Sequence, residues 1–81
     1  DTSADVEREF SRKHNERIVH EVIREMEEPD RTIFILRFFY YETVKVIAET
    51  VHLKEDNVES RIRRGKKKLK ADLLRRGVLN E

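Results

Sequence analysis

The stretch KEDNVESRIRRGKKKLK, residues Lys54–Lys70, is acidic at its start and crowded with arginine and lysine thereafter. Advancing about 100° per residue from Asn57 brings Val58, Ile62, Gly65, Leu69 and Leu73 together near about 120°. That cluster is the core seam of an amphipathic helix. Gly65 lies on the seam and costs about 1 kcal/mol of helix propensity relative to alanine. Its lack of a side chain is therefore read as close packing against a neighbouring helix. Opposite the seam, near about 300°, lie Ser60, Arg63, Arg64 and Lys67, with Asp56 at the start. Glu59 and Arg61 fall on the two flanks.

The order of charge has a partial explanation in the helix dipole. Acids suit the N-terminal turn and cations suit the C-terminal end. The dipole does not require serine, two arginines and a lysine on one outward face. A helix lying in a DNA major groove uses such a face, because arginine pairs with guanine O6 and N7 and serine bonds base edges or phosphate. Arg61, Lys66, Lys68 and Lys70 on the flanks are suited to phosphates. Two blander readings stand beside this one. The first is a solvated basic helix end. The second is an amphipathic helix on an anionic membrane, against which the narrow seam without Trp or Phe argues.

Working outward, Gly77 is the natural stop for this helix, which runs to about Arg75. Lys54 marks its start, with Glu55 and Asp56 in the first turn. Before it, Thr43 caps a short helix to Val51, with Val44, Ile47, Ala48 and Val51 on one face. Val46 stands where an acid would complete a capping box. The few residues between these helices fit a helix-turn-helix at about 43–75. A further helix is predicted from Pro29, at its first position, to about Tyr40. Its TIFILRFFYY run, Thr32–Tyr41, is apolar almost all round. Exposure left over at Phe38, Phe39 or Tyr40 is expected to mark a protein contact. A first helix is predicted from Asn15, its N-cap, to Glu27, with Ile18, Val19, Val22, Ile23 and Met26 on one face. Residues 1–14 read as a linker or flexible arm, and 15–81 as the folded domain. The fold class is all-α: a small four-helix domain with a C-terminal helix-turn-helix.

The 81 residues suffice for one small domain, and 43% are charged. The net charge of +1 hides an asymmetry. Residues 1–53 hold eight Lys/Arg and twelve Asp/Glu, a balance of −4, whereas residues 54–76 hold ten and four, a balance of +6. There is no cysteine, hence no disulfide framework or thiolate metal site. No apolar run approaches a membrane span and no signal peptide is visible, so no membrane insertion is expected and the cytoplasm is the expected location. His14, His20 and His52 have no metal-ligand spacing and read as scattered surface residues. Glu27 and Glu28 are adjacent and read as a solvated helix end. Neither a phosphate loop nor a catalytic triad is present, so no enzyme activity, metal or cofactor is expected.

From Met26 to Leu74 the chain resembles region four of the extracytoplasmic-function sigma factors. The resemblance rests on Pro29-Asp30-Arg31, Phe34-Ile35-Leu36-Arg37-Phe38, Ile47-Ala48-Glu49 and NVESRIRRGKKKL from Asn57 to Leu69, in that order. Each motif is weak alone and the set is fairly specific. The LuxR-type DNA-binding domain is the nearest competitor, but it usually has His where Arg61 stands. The resemblance implies binding to the minus-35 element of double-stranded promoter DNA. It also implies docking on the β flap of the RNA polymerase core, and an anti-sigma factor as a further partner. Carried over by position, Glu59, Ser60, Arg63 and Arg64 fall at base contacts, and Lys45, Asn57, Arg61 and Lys67 at backbone contacts. The competing function is a protein-interaction module whose basic helix meets an acidic partner.

Three departures from the family pattern stand out. Position 59 is commonly basic, yet Glu59 is acidic, so either the promoter differs or Glu59 turns toward Arg63. His52 replaces a usual glycine, at a cost of about 1 kcal/mol if the backbone there is left-handed. Val46 replaces a usual acid and is expected as an exposed apolar contact.

Overall fold

The computed structural model describes residues 14–78, which form four helices. Of the linker expected over residues 1–14, residues 1–13 lie outside the described residues, and residue 14 belongs to a helix instead. Helix α1 is helical over 14–24, α2 spans Asp30–Phe38, α3 spans Val44–Val51 and α4 spans Glu55–Arg75. No strand occurs among the described residues.

Two expected boundaries need correction at α1. Residue 14 is already helical, so Asn15 is not an N-cap. The helix also ends at residue 24 rather than Glu27. The Met26 amide turns back to the Ile23 carbonyl at 3.1 Å, which leaves Met26 packed against the core without extending the helix. Pro29 bars the helix from running past Glu28, and the turn at Met26 ends it before that limit.

Helix α2 starts one residue later than expected. Pro29 is the N-cap, not the first helical residue, and has no side chain with which to cap. The Glu28 carboxylate does the capping instead. It accepts the Thr32 amide at 2.9 Å and the Thr32 hydroxyl at 2.8 Å. These hydrogen bonds, that from the Thr32 hydroxyl foremost, hold the Glu28 carboxyl below its ordinary value. Glu28 is thus more than a solvated helix end.

Helix α2 also stops at Phe38 rather than Tyr40. The chain reverses through Tyr41, whose φ of 56° is left-handed. The Glu42 amide returns to the Leu36 carbonyl at 3.0 Å, and Arg37 Nη1 donates to the Glu42 carbonyl at 3.0 Å. Propensity favoured continuing the apolar run, but this long-reach turn closes it.

The helix-turn-helix follows its local signals closely. Thr43 Oγ1 accepts the Val46 amide at 3.2 Å, capping α3. Helix α3 ends in a left-handed His52, with φ 59° and ψ 43°, and the Leu53 amide bonds the Ala48 carbonyl at 3.0 Å. At the far end of α4, Gly77 takes φ 76° and the Val78 amide bonds the Leu73 carbonyl at 2.9 Å. An ion pair between Arg76 and Glu25, 3.1 Å, ties this end to the end of α1.

The core joins all four helices. Ile23, Ile33, Phe34, Ile47, Ala48, Val58 and Ile62 form one buried cluster. Val22 and Leu73 are also buried. Phe34 is wholly enclosed, and its ring lies directly over Gly65 of α4. A methyl group at position 65 overlaps the Phe34 ring, so the seam glycine is a close-packing residue, as its position on the wheel implied.

Two substitutions test this packing. Gly65→Ala gains about 1 kcal/mol of helix propensity but is expected to lower stability overall, because overpacking a full core costs about 1–3 kcal/mol. Urea denaturation measures the difference, and a more stable variant would show that the Phe34 ring yields freely. His52→Gly, by contrast, is expected to raise stability by about 1 kcal/mol through relief of the left-handed backbone. An unchanged urea midpoint for that variant would mean that His52 carries no strain.

Candidate nucleic-acid interface

Helix α4 is about 31 Å long at 1.5 Å per residue. Lys54 precedes it in extended conformation, so the helix begins sharply at Glu55, with Glu55 and Asp56 in its first turn. Val58, Ile62 and Leu73 are buried along one side. This fixes the rotation of the helix about its axis, and the other side faces outward. On that side Arg63, Arg64 and Lys67 are exposed, and Ser60 is half-buried. The face drawn on the helical wheel therefore exists as a surface.

Ser60 sits at the centre of this surface. Its hydroxyl accepts from Arg63 Nη2 at 3.3 Å, and its carbonyl accepts from Arg64 Nε at 3.4 Å. Both bonds are long, so they orient the guanidinium groups weakly and leave them free to re-pair.

The flanks of α4 differ. On one side Glu59, Arg63, Lys66 and Lys67 line an open recess of about 490 Å³ with Arg37, Val44 and Ile62. Glu59 does not turn toward Arg63: among the described residues its carboxylate has no hydrogen bond or ion pair, and Arg63 reaches Ser60 instead. Lys66 places its ammonium 5.7 Å from the centre of the Phe38 ring. On the other flank Arg61, Arg64, Gly65 and Lys68 line a recess of about 320 Å³ with Asp30.

Arg61 bonds the exposed Asn57 on its own helix and reaches across to α2. Arg61 Nε donates to Asn57 Oδ1 at 2.7 Å, and Arg61 Nη1 donates to Asp30 Oδ1 at 3.1 Å. Arg61 thereby ties α4 to the first turn of α2. Lys45 lies elsewhere, exposed near the start of α3, in the recess at the helix-turn-helix elbow that it shares with His52, Glu55 and Asp56. Sequence reasoning missed the roles of Asp30 and Arg37. Asp30 is 31 residues from Arg61, and nothing local to either residue announces the pairing.

Away from α4, a groove of about 420 Å³ lies between α1 and α2, lined by His20, Ile23, Arg24, Ile35, Phe39 and Tyr40. Of the three residues expected to be left exposed, Tyr40 is exposed and the two phenylalanines are not. Phe38 and Phe39 are half-buried, the latter beneath His20, whose ring stacks at 4.0 Å and 5°. Among the described residues Tyr40 and Tyr41 are the exposed large aromatics, at 67% and 83%, and Val46 is exposed as expected.

The chain matches the family Sigma-70, region 4, over residues 16–69, more than half its length. It belongs to the sigma-70 region 4 family. Sigma region 4 is a DNA-binding helix-turn-helix region of factors that act with RNA polymerase in transcription initiation, not a catalytic family. The LuxR-type alternative gives way to this match. No curated protein and no solved structure matches the chain. Among the described residues of this region 4, no helix is long and apolar enough to cross a membrane, and no cluster of His, Asp and Glu is placed to hold a metal ion.

A double-mutant cycle between Asp30→Asn and Arg61→Gln, read by urea denaturation, is expected to return a coupling of about 0.2–1 kcal/mol, as for partly exposed pairs. A coupling indistinguishable from zero would show that the bridge from α2 to α4 does not hold in solution.

Proposed function

We propose that this region 4 belongs to an extracytoplasmic-function sigma factor working in the cytoplasm, and that α4 reads the minus-35 promoter element. The observation that carries the proposal is the division of α4 into a side locked in the core and a side presenting Ser60, Arg63, Arg64 and Lys67. Glu59, Ser60, Arg63 and Arg64 meet base edges in the major groove. Lys45 and Lys67 meet phosphates at the elbow and along the helix. Asn57 and Arg61 meet the backbone at the flank, their side chains already ordered by one another and by Asp30.

The groove between α1 and α2 supports docking on the β flap of RNA polymerase. It is apolar at Ile23, Ile35 and Phe39, is rimmed by Tyr40, and shares no residue with α4. Protein and DNA can therefore bind at once. The same exposed aromatics suit an anti-sigma factor, which reconciles the protein-interaction reading with the DNA-binding one: each uses a different face.

A salt titration of promoter binding, made with the polymerase holoenzyme, tests the assignment. Arg64→Ala is expected to relax base preference at one position by about 1–3 kcal/mol. Lys67→Ala is expected to weaken all sequences alike and to lower the log–log salt slope by about 1. If both variants lose affinity equally for every sequence, base reading does not reside in Arg64.

A further inference from the structure

Glu59 is the one acid in the recess beside the proposed reading face. It is exposed on the second turn of α4, one turn before Arg63. Arg37, Arg63, Lys66 and Lys67 surround the recess with positive charge. Four cations against one carboxylate leave the recess at a formal +3. A lone carboxylate near DNA is repelled by phosphates, but here the neighbouring cations offset that repulsion. Val44 and Ile62 give the recess an apolar floor, and its cationic side chains stand around the carboxylate without bonding it. Among the described residues it makes no hydrogen bond or ion pair, and Arg63 is engaged by Ser60.

A carboxylate only accepts hydrogen bonds. In the major groove, guanine presents N7 and O6, both acceptors, and thymine presents O4 and a methyl group. Adenine offers its N6 donor beside the N7 acceptor, which opposes the second carboxylate oxygen. Cytosine offers the N4 donor, and is the base that a carboxylate suits best. Four residues of helix rise about 6 Å, against 3.4 Å for each base step. Glu59 and Arg63 are therefore about two base pairs apart in reach.

Resting on the promoter-reading function above, we propose that Glu59 makes the minus-35 element selective for a cytosine, within about two base pairs of the position read by Arg63. This carboxylate is then a specificity determinant of this chain rather than a tolerated misfit.

The test uses the polymerase holoenzyme containing the protein that carries this region, and a duplex library randomised across the minus-35 element. The bound fraction is sequenced. For the native protein, cytosine is expected to be enriched about tenfold or more at one position. Glu59→Gln is expected to move that preference to adenine, because an amide pairs with adenine N6 and N7. Glu59→Ala is expected to abolish the preference and create none. Arg63→Ala is expected to alter a position within about two base pairs of it. If Glu59→Gln and Glu59→Ala raise binding to all sequences by one common factor, the carboxylate merely repels phosphate and the inference is overturned. It is equally overturned if neither variant changes preference at any position while Arg64→Ala does, in which case the promoter-reading function stands without it. A native holoenzyme that enriches no sequence in this element overturns both.

Discussion

The contact between the Phe34 ring and the bare backbone of Gly65 governs the rest of this structure. Phe34 is wholly enclosed, and Gly65 is the seam position of α4 that admits the ring. Side chains on a helix recur every 100°, so pinning one residue against a neighbour sets the direction of every other. With Gly65 facing α2, and Val58 and Ile62 facing the core, Ser60, Arg63, Arg64 and Lys67 have no direction but outward. The basic face is a consequence of how the seam packs.

Polar contacts refine that orientation. Arg61 reaches from α4 to Asp30 at the start of α2, and Arg76 reaches from the end of α4 to Glu25 at the end of α1. Each is a partly exposed pair of modest strength. Together they brace α4 at two places along its length. The arginines left on the outward face are held only by long bonds through Ser60. A braced helix with loosely held tips suits a surface that must keep its position while its side chains find partners.

The two halves of the domain differ in surface chemistry. The acidic half carries an apolar groove and exposed tyrosines, whereas α4 carries the excess positive charge. The net negative charge of residues 1–53 repels DNA, and the positive charge of α4 attracts it. Membership in the sigma-70 region 4 family fits this arrangement, since such a region must meet both promoter DNA and polymerase.

Much of this was legible in the residues themselves. Thr43 as a cap, Lys54 as a boundary, the stop at Gly77 and the seam through Gly65 are local signals, and local geometry obeys them. The left-handed His52 was legible only through the resemblance, where glycine is usual at that position. The ends of α1 and α2 were not. Met26 and Tyr40 continue a helical pattern, yet the turn of Met26 back to Ile23 and the left-handed Tyr41 end the helices earlier. Periodicity records which side of a helix is apolar, but it does not record where a turn outweighs propensity. Nor could the sequence say that Arg61 would bond Asp30, or that Arg37 would stand beside Glu59. Those neighbours are created by helix packing, which brings together residues far apart in the chain. The sequence alone determined the helices and their outward chemistry; the tertiary structure decided which charged groups are spoken for and which stand free, because pairing depends on distance in space and not along the chain.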